Sequence, residues 1–526
     1  MRAPYQFLDK EMKAIITIFL SLLVFPAAAL NKSTNYFNKE NATYVIRRDY
    51  DLAGKTITIP AGCTIRFKGG IIKNGCLKGT GTTINASNQQ LFETSTRLEG
   101  SWRVDSWYPE WFGAKGERGQ KDAEAIQCAL DAARDTDTKI VKLQGKTYYT
   151  DKTLNIYPYT SLIGAEKTAY WIHASQISPI SNVDAIRITT PGNEIRSTGV
   201  TLKNLIIRNG SGELYSKSGI LLSNDIERFG LTRLSIENVQ VLFFEYGLKA
   251  DLYGNNAPFA YCSFHNLECN NNNIGFYVDG HFEGEKNGHM VWMNVNRFEF
   301  CHFSENRIGG LRIQNVWMLL NNVFDQCTFE GNGNNYSLPL YKKEGVYGAK
   351  IDNWYTPTTG GNVFQNCYFE MNIPRRQNGD AEMGEYKYGQ SIFPEGFFES
   401  KMTGNVILRQ HNFSFSNCIS SRNKCFVLLT DNCHINVTGT SIFDLEKVSE
   451  SDSVRYFIEF NDAFVQSSVN TERNHFMISK ENTLRYFHFL ATPKGSQSNY
   501  NIKKMDDIDG GKVELKDMKV GTLLNK

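Results

Sequence analysis

One alternation of apolar and polar positions recurs through the middle of the chain. It reads VTLKNLII (200–207), LSIENVQV (234–241), SFHNLEC (263–269), RFEFCHF (297–303), VFDQCTF (323–329), VFQNCYF (363–369) and SFSNCIS (414–420). Each copy has an apolar residue, a polar one, a turn residue, then two apolar positions spaced by two. The first apolar positions are Leu202, Ile236, Phe264, Phe298, Phe324, Phe364 and Phe415, at intervals of 34, 28, 34, 26, 40 and 51 residues. Period-two alternation over such short runs predicts strands. A fixed pattern at variable spacing predicts a solenoid with insertions in its loops.

The turn position holds Asn204, Asn238, Asn266, Asn366 and Asn417, with Phe300 and Gln326 as exceptions. Asn tolerates a left-handed backbone and can hydrogen-bond its copy one coil away. The next inward position reads Leu205, Val239, Leu267, Cys301, Cys327, Cys367 and Cys418, so stacked cysteines serve there as small core residues. A Gly and another alternating strand follow: GILLS (219–223), GLKAD (247–251), GFYVD (275–279), GLRIQ (310–314) and GAKID (348–352). Asn272, Asn306, Asn332, Asn372 and Asn423 form a second predicted turn ladder. Three short strands per turn with Asn ladders predict an all-β fold, a right-handed parallel β-helix. A β-propeller would need antiparallel hairpins, and no Asn-Gly hairpin spacing supports one.

Composition narrows the function classes. The 526 residues include 34 Phe and 25 Tyr but only 13 Pro, which suits many strands. Lys and Arg (57) nearly balance Asp and Glu (55), so a protein that coats nucleic acid is excluded. Eleven Cys without a CxxC pair indicate neither a disulfide scaffold nor a zinc or redox motif. The apolar run Ala14 to Ala29 follows Lys13 and closes on Ala27, Ala28 and Ala29, the layout of a signal peptide over residues 1–30. Met12 is the expected start. The run is short for a membrane span and no Cys follows it closely, so no stable membrane anchor is expected. The protein is expected to be exported, periplasmic or extracellular.

The segment YVIRRDYDLAGKTITIPAGCTIRFKGGIIKNGCLKG (44–79) resembles the opening coils of bacterial β-helix polysaccharide lyases. WFGAKGERGQKDAEAIQCALDAA (111–133) is similar to the opening of the pectate-lyase superfamily, and KIVKLQGKTYYTDKTLNI (139–156) to its next strands. The resemblance covers about 44–430. It implies an N-terminal capping helix at about 120–134 within a β-helix spanning 31–438. Residues 439–526 are then terminal coils or a small β-rich cap. Such helices host lyases, hydrolases, tailspikes and epimerases, so the fold alone does not fix the reaction.

Candidate chemistry follows from strand alternation. With Leu248, Phe276, Leu311 and Ala349 inward, Lys249, Tyr277, Arg312 and Lys350 form an outward column. Asp251, Asp279, Gln314 and Asp352 form the next. The insertions at 279–292, 330–347 and 370–404 are expected to wall this stripe into a cleft, bringing His281, His289, Trp292, Tyr341, Lys343, Arg375 and Arg376 to it. Lys249, Tyr341, Lys343, Arg375, Arg376 and Trp292 suit acidic groups and sugar rings. Asp251 and Asp279, one coil apart, are a candidate calcium pair. Glu330 and Glu370 occupy equivalent positions as a solvated pair, and His302 and His434 are expected to be satisfied structural histidines.

Cleaving a uronic-acid polymer by β-elimination needs a base beside the carboxyl group and a cation for the developing enolate. Arg312 suits the second role, because its planar fork meets both carboxylate oxygens. Lys350, Tyr277, His281 and His289 are candidates for the first, with Lys350 or a His favoured. The expected function is a secreted lyase acting on an acidic polysaccharide, uronic-acid-containing or a sulfated glycosaminoglycan. A glycoside hydrolase of polygalacturonase type would rest on Asp251, Asp279 and Asp352, but its GDD and GHG signatures are missing. A non-catalytic glycan-binding β-helix would need aromatics but no Arg, Lys and His set.

Overall fold

The computed structural model describes residues 36–86, 89–165, 174–189, 198–223, 231–282, 290–333, 346–352, 358–372, 403–409, 412–421, 425–430, 434–444, 454–460, 468–478, 483–489, 499–504, 508–509 and 512–514. The chain winds as a right-handed parallel β-helix whose strands stack into long parallel sheets, one of twelve strands and one of fourteen. The predicted signal segment lies outside the described residues. Among those described, no helix is long and apolar enough to cross a membrane.

The register is the one that the repeat predicts. Leu202, Ile236, Phe264, Phe298, Phe324, Phe364 and Phe415 pair in succession across the fourteen-stranded sheet. Their rings stack where they are Phe, with centroids 4.5 Å apart for Phe264–Phe298 and for Phe298–Phe324. The thiols of Cys301, Cys327, Cys367 and Cys418 are buried and donate to the carbonyls of Phe264, Phe298, Phe324 and Phe364, one coil back. Packing of this kind is where the solenoid holds itself together, since each coil buries its apolar face only against its neighbours.

The corners explain the asparagines. Asn204, Asn238, Asn266, Asn366 and Asn417 all have positive φ, between 50° and 58°. Phe300 and Gln326 adopt the same conformation, so the corner is fixed by the coil even where its residue is poorly suited to it. Asn266 donates to Asn238 at 2.9 Å, and Asn238 to Asn204 at 3.2 Å. The second ladder is internal. Asn306 donates to Asn332 at 3.0 Å and Asn332 to Asn372 at 2.7 Å, all three being buried. A third buried ladder, Asn296–Asn322–Asn362, was not anticipated. It lines the corner between an extra five-stranded sheet, whose strands fall between the recognised repeats, and the fourteen-stranded one: Asn296 and Asn322 follow strands of the first, and Asn362 opens a strand of the second.

Helix α1 spans Ala123–Asp135, beginning three residues after and ending one residue after its expected bounds. It buries Ala125, Ile126, Ala129, Leu130, Ala132 and Ala133 against the first coils. The buried Asp122 carboxylate, rather than capping α1, accepts the backbone N–H groups of Lys115, Gly116 and Tyr149. That ties the turn, the helix start and the next strand to one side chain. Beyond residue 439, Val454–Phe460, Thr483–Phe489 and Lys512–Glu514 continue the twelve-stranded sheet.

Candidate functional site

Four strands of the twelve-stranded sheet carry the candidate residues: β1 (Tyr246–Asp251), β2 (Ile274–Asp279), β3 (Gly309–Gln314) and β4 (Val346–Asp352). Their in-register pairing places Lys249, Tyr277, Arg312 and Lys350 in one column. Asp251, Asp279, Gln314 and Asp352 form the next. The alternation breaks near the glycines, because Gly247 and Leu248 are both buried while Tyr246 and Lys249 are not. A Cβ on Gly247 would sit 2.6 Å from the Gly275 carbonyl oxygen, and one on Gly310 2.6 Å from that of Gly348. Glycine is therefore required for space. The break takes a further column, Tyr246, Ile274, Gly309 and Tyr347, out of the main core. Ile274 and Tyr347 are buried there in a small separate cluster with Ile308, against which Tyr246 and Tyr277 pack.

Hydrogen bonds knit the columns together. Gln314 Nε2 donates to Asp279 Oδ2 at 2.7 Å and to Tyr277 OH at 2.8 Å, while its Oε1 accepts from Arg312 Nε and Nη2. Asp279 also accepts from Tyr277 OH, Asn315 Nδ2 and the His281 backbone N–H. Asp251 receives Lys249 Nζ at 3.0 Å on one oxygen and His281 Nε2 at 2.6 Å on the other. Tyr253 lies face to face on His281, with ring centroids 4.0 Å apart and planes 11° apart. His281 itself has φ +53°, held there by its backbone bond to Asp279.

These contacts set the protonation states. Burial works against the His281 imidazolium, but the Asp251 hydrogen bond and the charges of Asp279 and Asp251 outweigh it and raise the pKa above the ordinary value. Burial likewise opposes ionisation of Asp251, yet hydrogen bonds from His281 and Lys249 prevail and lower its pKa. Burial, then the charge of Asp279, push the Tyr277 phenol well above its ordinary range. In this arrangement Tyr277 donates its O–H to Asp279.

The column is not evenly exposed. Arg312 and Lys350 are only 5 % and 2 % exposed. Lys249 and His281 retain partial exposure, and Tyr253 is 43 % exposed. The accessible chemistry therefore sits at the Lys249–Asp251–His281–Tyr253 end. Trp292 is not on this face; it pairs with Pro258 and Met318 in the extra five-stranded sheet. His289, Tyr341, Lys343, Arg375 and Arg376 lie outside the described residues. Glu330 and Glu370 pair in register as expected, and His302 is exposed, its backbone N–H donating to the Leu267 carbonyl.

The calcium expectation fits this donor set poorly. Asp251 is engaged by an ammonium and an imidazole, and Asp279 by four N–H or O–H donors, so neither offers calcium a set of oxygens. Among the described residues, no group of three or more His, Cys, Asp and Glu is arranged to hold a metal. Sequence reasoning missed Tyr253 and Asn315. Tyr253 lies two positions past Asp251, where a reading of strand alternation stops.

No protein-family model matches the chain. No curated protein matches it in sequence. Several solved structures are similar to it. The enzymatically active domain of bacteriophage CBA120 tailspike protein 2 is 12 % identical with a TM-score of 0.45, over 70 % of this chain and 48 % of that one. An Acinetobacter phage tailspike is 9 % identical with a TM-score of 0.44, over 81 % and 67 %. The A-module of an Azotobacter vinelandii mannuronan C-5 epimerase is 14 % identical with a TM-score of 0.40, over 74 % and 100 %. The chain thus spans about half the length of the first of these.

Proposed function

We propose that the protein is an exported lyase that cleaves an acidic polysaccharide by β-elimination, with its reacting centre at Lys249, Asp251, His281 and Tyr253. The observation that carries this reading is that Lys249 and His281 share one carboxylate at the accessible end of a cationic column. With Nε2–H donated to Asp251, Nδ1 is the basic nitrogen of the neutral His281 tautomer. His281 removes the proton α to the substrate carboxylate, and the C–H electron pair forms the new carbon–carbon double bond. The adjacent C–O bond breaks, and the departing oxygen takes the proton back from the imidazolium. Lys249 neutralises the carboxylate as negative charge develops. Arg312 and Lys350 add positive potential from further along the same column, and Tyr253 offers a ring for the sugar to stack on.

A hydrolase would need a carboxylic acid that keeps its proton near neutral pH. The lowered pKa of Asp251 disfavours that role. The test is incubation with a panel of polyuronates and glycosaminoglycans. Ultraviolet absorbance from an unsaturated uronide is expected. New reducing ends without that absorbance would mean hydrolysis, and binding with neither would mean a glycan-binding protein.

A further inference from the structure

The first coils carry a second charged surface. Residues 36–103 hold ten Lys and Arg against five Asp and Glu, although the whole chain is nearly neutral. Thr43–Ile46 pairs with Thr64–Phe67, which pairs with Gly75–Asn85, and that strand pairs with Thr96–Arg103. Tyr44, Ile65, Ile46 and Phe67 turn into the core. In the outward positions, Thr43, Thr64, Thr83 and Arg103 form one column, and Val45, Arg66 and Asn85 the next. Lys68 N–H donates to the Ile46 carbonyl, which sets Lys68 beside Arg47 at the end of the face.

Arg47, Arg66, Lys68 and Arg103 are all exposed, and none makes an ion pair among the described residues. The outward columns of this face contain no carboxylate. The acids around it are otherwise engaged. Asp49 accepts the Ile71 N–H, Asp51 the Ala53 N–H and Asn74, Glu99 pairs with Arg97, and Asp105 with Lys142. Cations left uncompensated on a flat strand surface raise the local concentration of an extended polyanion. Thr hydroxyls and an Asn amide between them match the hydroxyl-rich edge of a sugar chain. A bilayer is the poorer fit, because surface insertion uses exposed apolar side chains. Among the described residues 36–103 one large apolar side chain is exposed, Tyr36, and its OH donates to the Val45 carbonyl.

We propose that the Arg47–Arg66–Lys68–Arg103 face is a docking surface for an acidic polysaccharide chain, separate from the His281 site. It shares with the proposed function only the class of ligand. The test is electrophoresis of the full-length protein through gels containing polygalacturonate or, as a neutral control, dextran. Polygalacturonate should retard the wild type and dextran should not. The R47Q/R66Q/K68Q/R103Q variant should bind about tenfold more weakly, and wild-type retardation should fall with added salt. Turnover of short oligosaccharides by the variant should stay at the wild-type level. Should the fourfold variant lose its circular dichroism, R66Q/K68Q carries the same test with a loss of about threefold. Equal retardation of variant and wild type would overturn the proposal. So would wild-type binding to phosphatidylglycerol vesicles but not to polygalacturonate, which would assign the face to a membrane. Retention lost in the variant while no glycan yields an unsaturated product would uphold the surface and sink the lyase reading.

Discussion

At the scale of single residues, the Asp251–His281 pair makes the sharpest predictions. Its stabilisation is full between about pH 4 and 6.5, the ordinary ranges of the two groups. It is lost as pH falls through the lowered Asp251 pKa and again as pH rises through the raised His281 pKa. A His281 base gives a kcat/KM that rises with pH through that raised pKa. Asp251→Asn should move this limb to lower pH, and His281→Ala should cost about 10²–10⁴ in kcat. A pH limb unmoved in Asp251→Asn would remove His281 from the mechanism. Arg312 behaves differently because it is buried. Arg312→Ala strips both donors from Gln314 Oε1 and should destabilise by about 1–3 kcal/mol in urea unfolding. A solvated arginine would cost within about 0.5 kcal/mol.

At the scale of the strand and corner, the repeat was legible because parallel in-register stacking demands the same residue type at the same place in every coil. Phe264, Phe298, Phe324 and Phe364 were readable for that reason, as was the column of Lys249, Tyr277, Arg312 and Lys350. Burial of Arg312 and Lys350 was not readable. Alternation tells which side of a sheet a residue faces, but not what lies over it. The same limit hid Tyr246 and Tyr347, which leave the main core for a small separate cluster only because alternation breaks at the glycine. That break is testable. Gly310→Ala puts a Cβ 2.6 Å from the Gly348 carbonyl oxygen. A clash with backbone should cost about 1–3 kcal/mol. Gly212→Ala meets nothing within 4 Å and should stay within about 0.5 kcal/mol. Equal unfolding midpoints for the two variants would refute the space requirement at the start of the strand.

At the scale of the whole molecule, a stack of coils is a one-dimensional system in which each unit is stabilised by two neighbours and the last by one. Opening should therefore start at the ends and reach the middle last, and the cysteine column reports on it. Cys301, Cys327, Cys367 and Cys418 are free and fully or almost fully buried at equivalent places in successive coils. Burial shuts a reagent out of all four sites and raises the pKa of Cys301, Cys327 and Cys367 well above the ordinary thiol value, so alkylation reads opening alone. Under native conditions with low urea, Cys418 should be labelled first, then Cys367, Cys327 and Cys301 in order, as followed by peptide mass spectrometry. The gradient arises because free energies of partial opening are smaller near an end than in the interior. Identical labelling rates at all four positions would mean that the solenoid opens as one cooperative unit, with its end coils held as firmly as its centre.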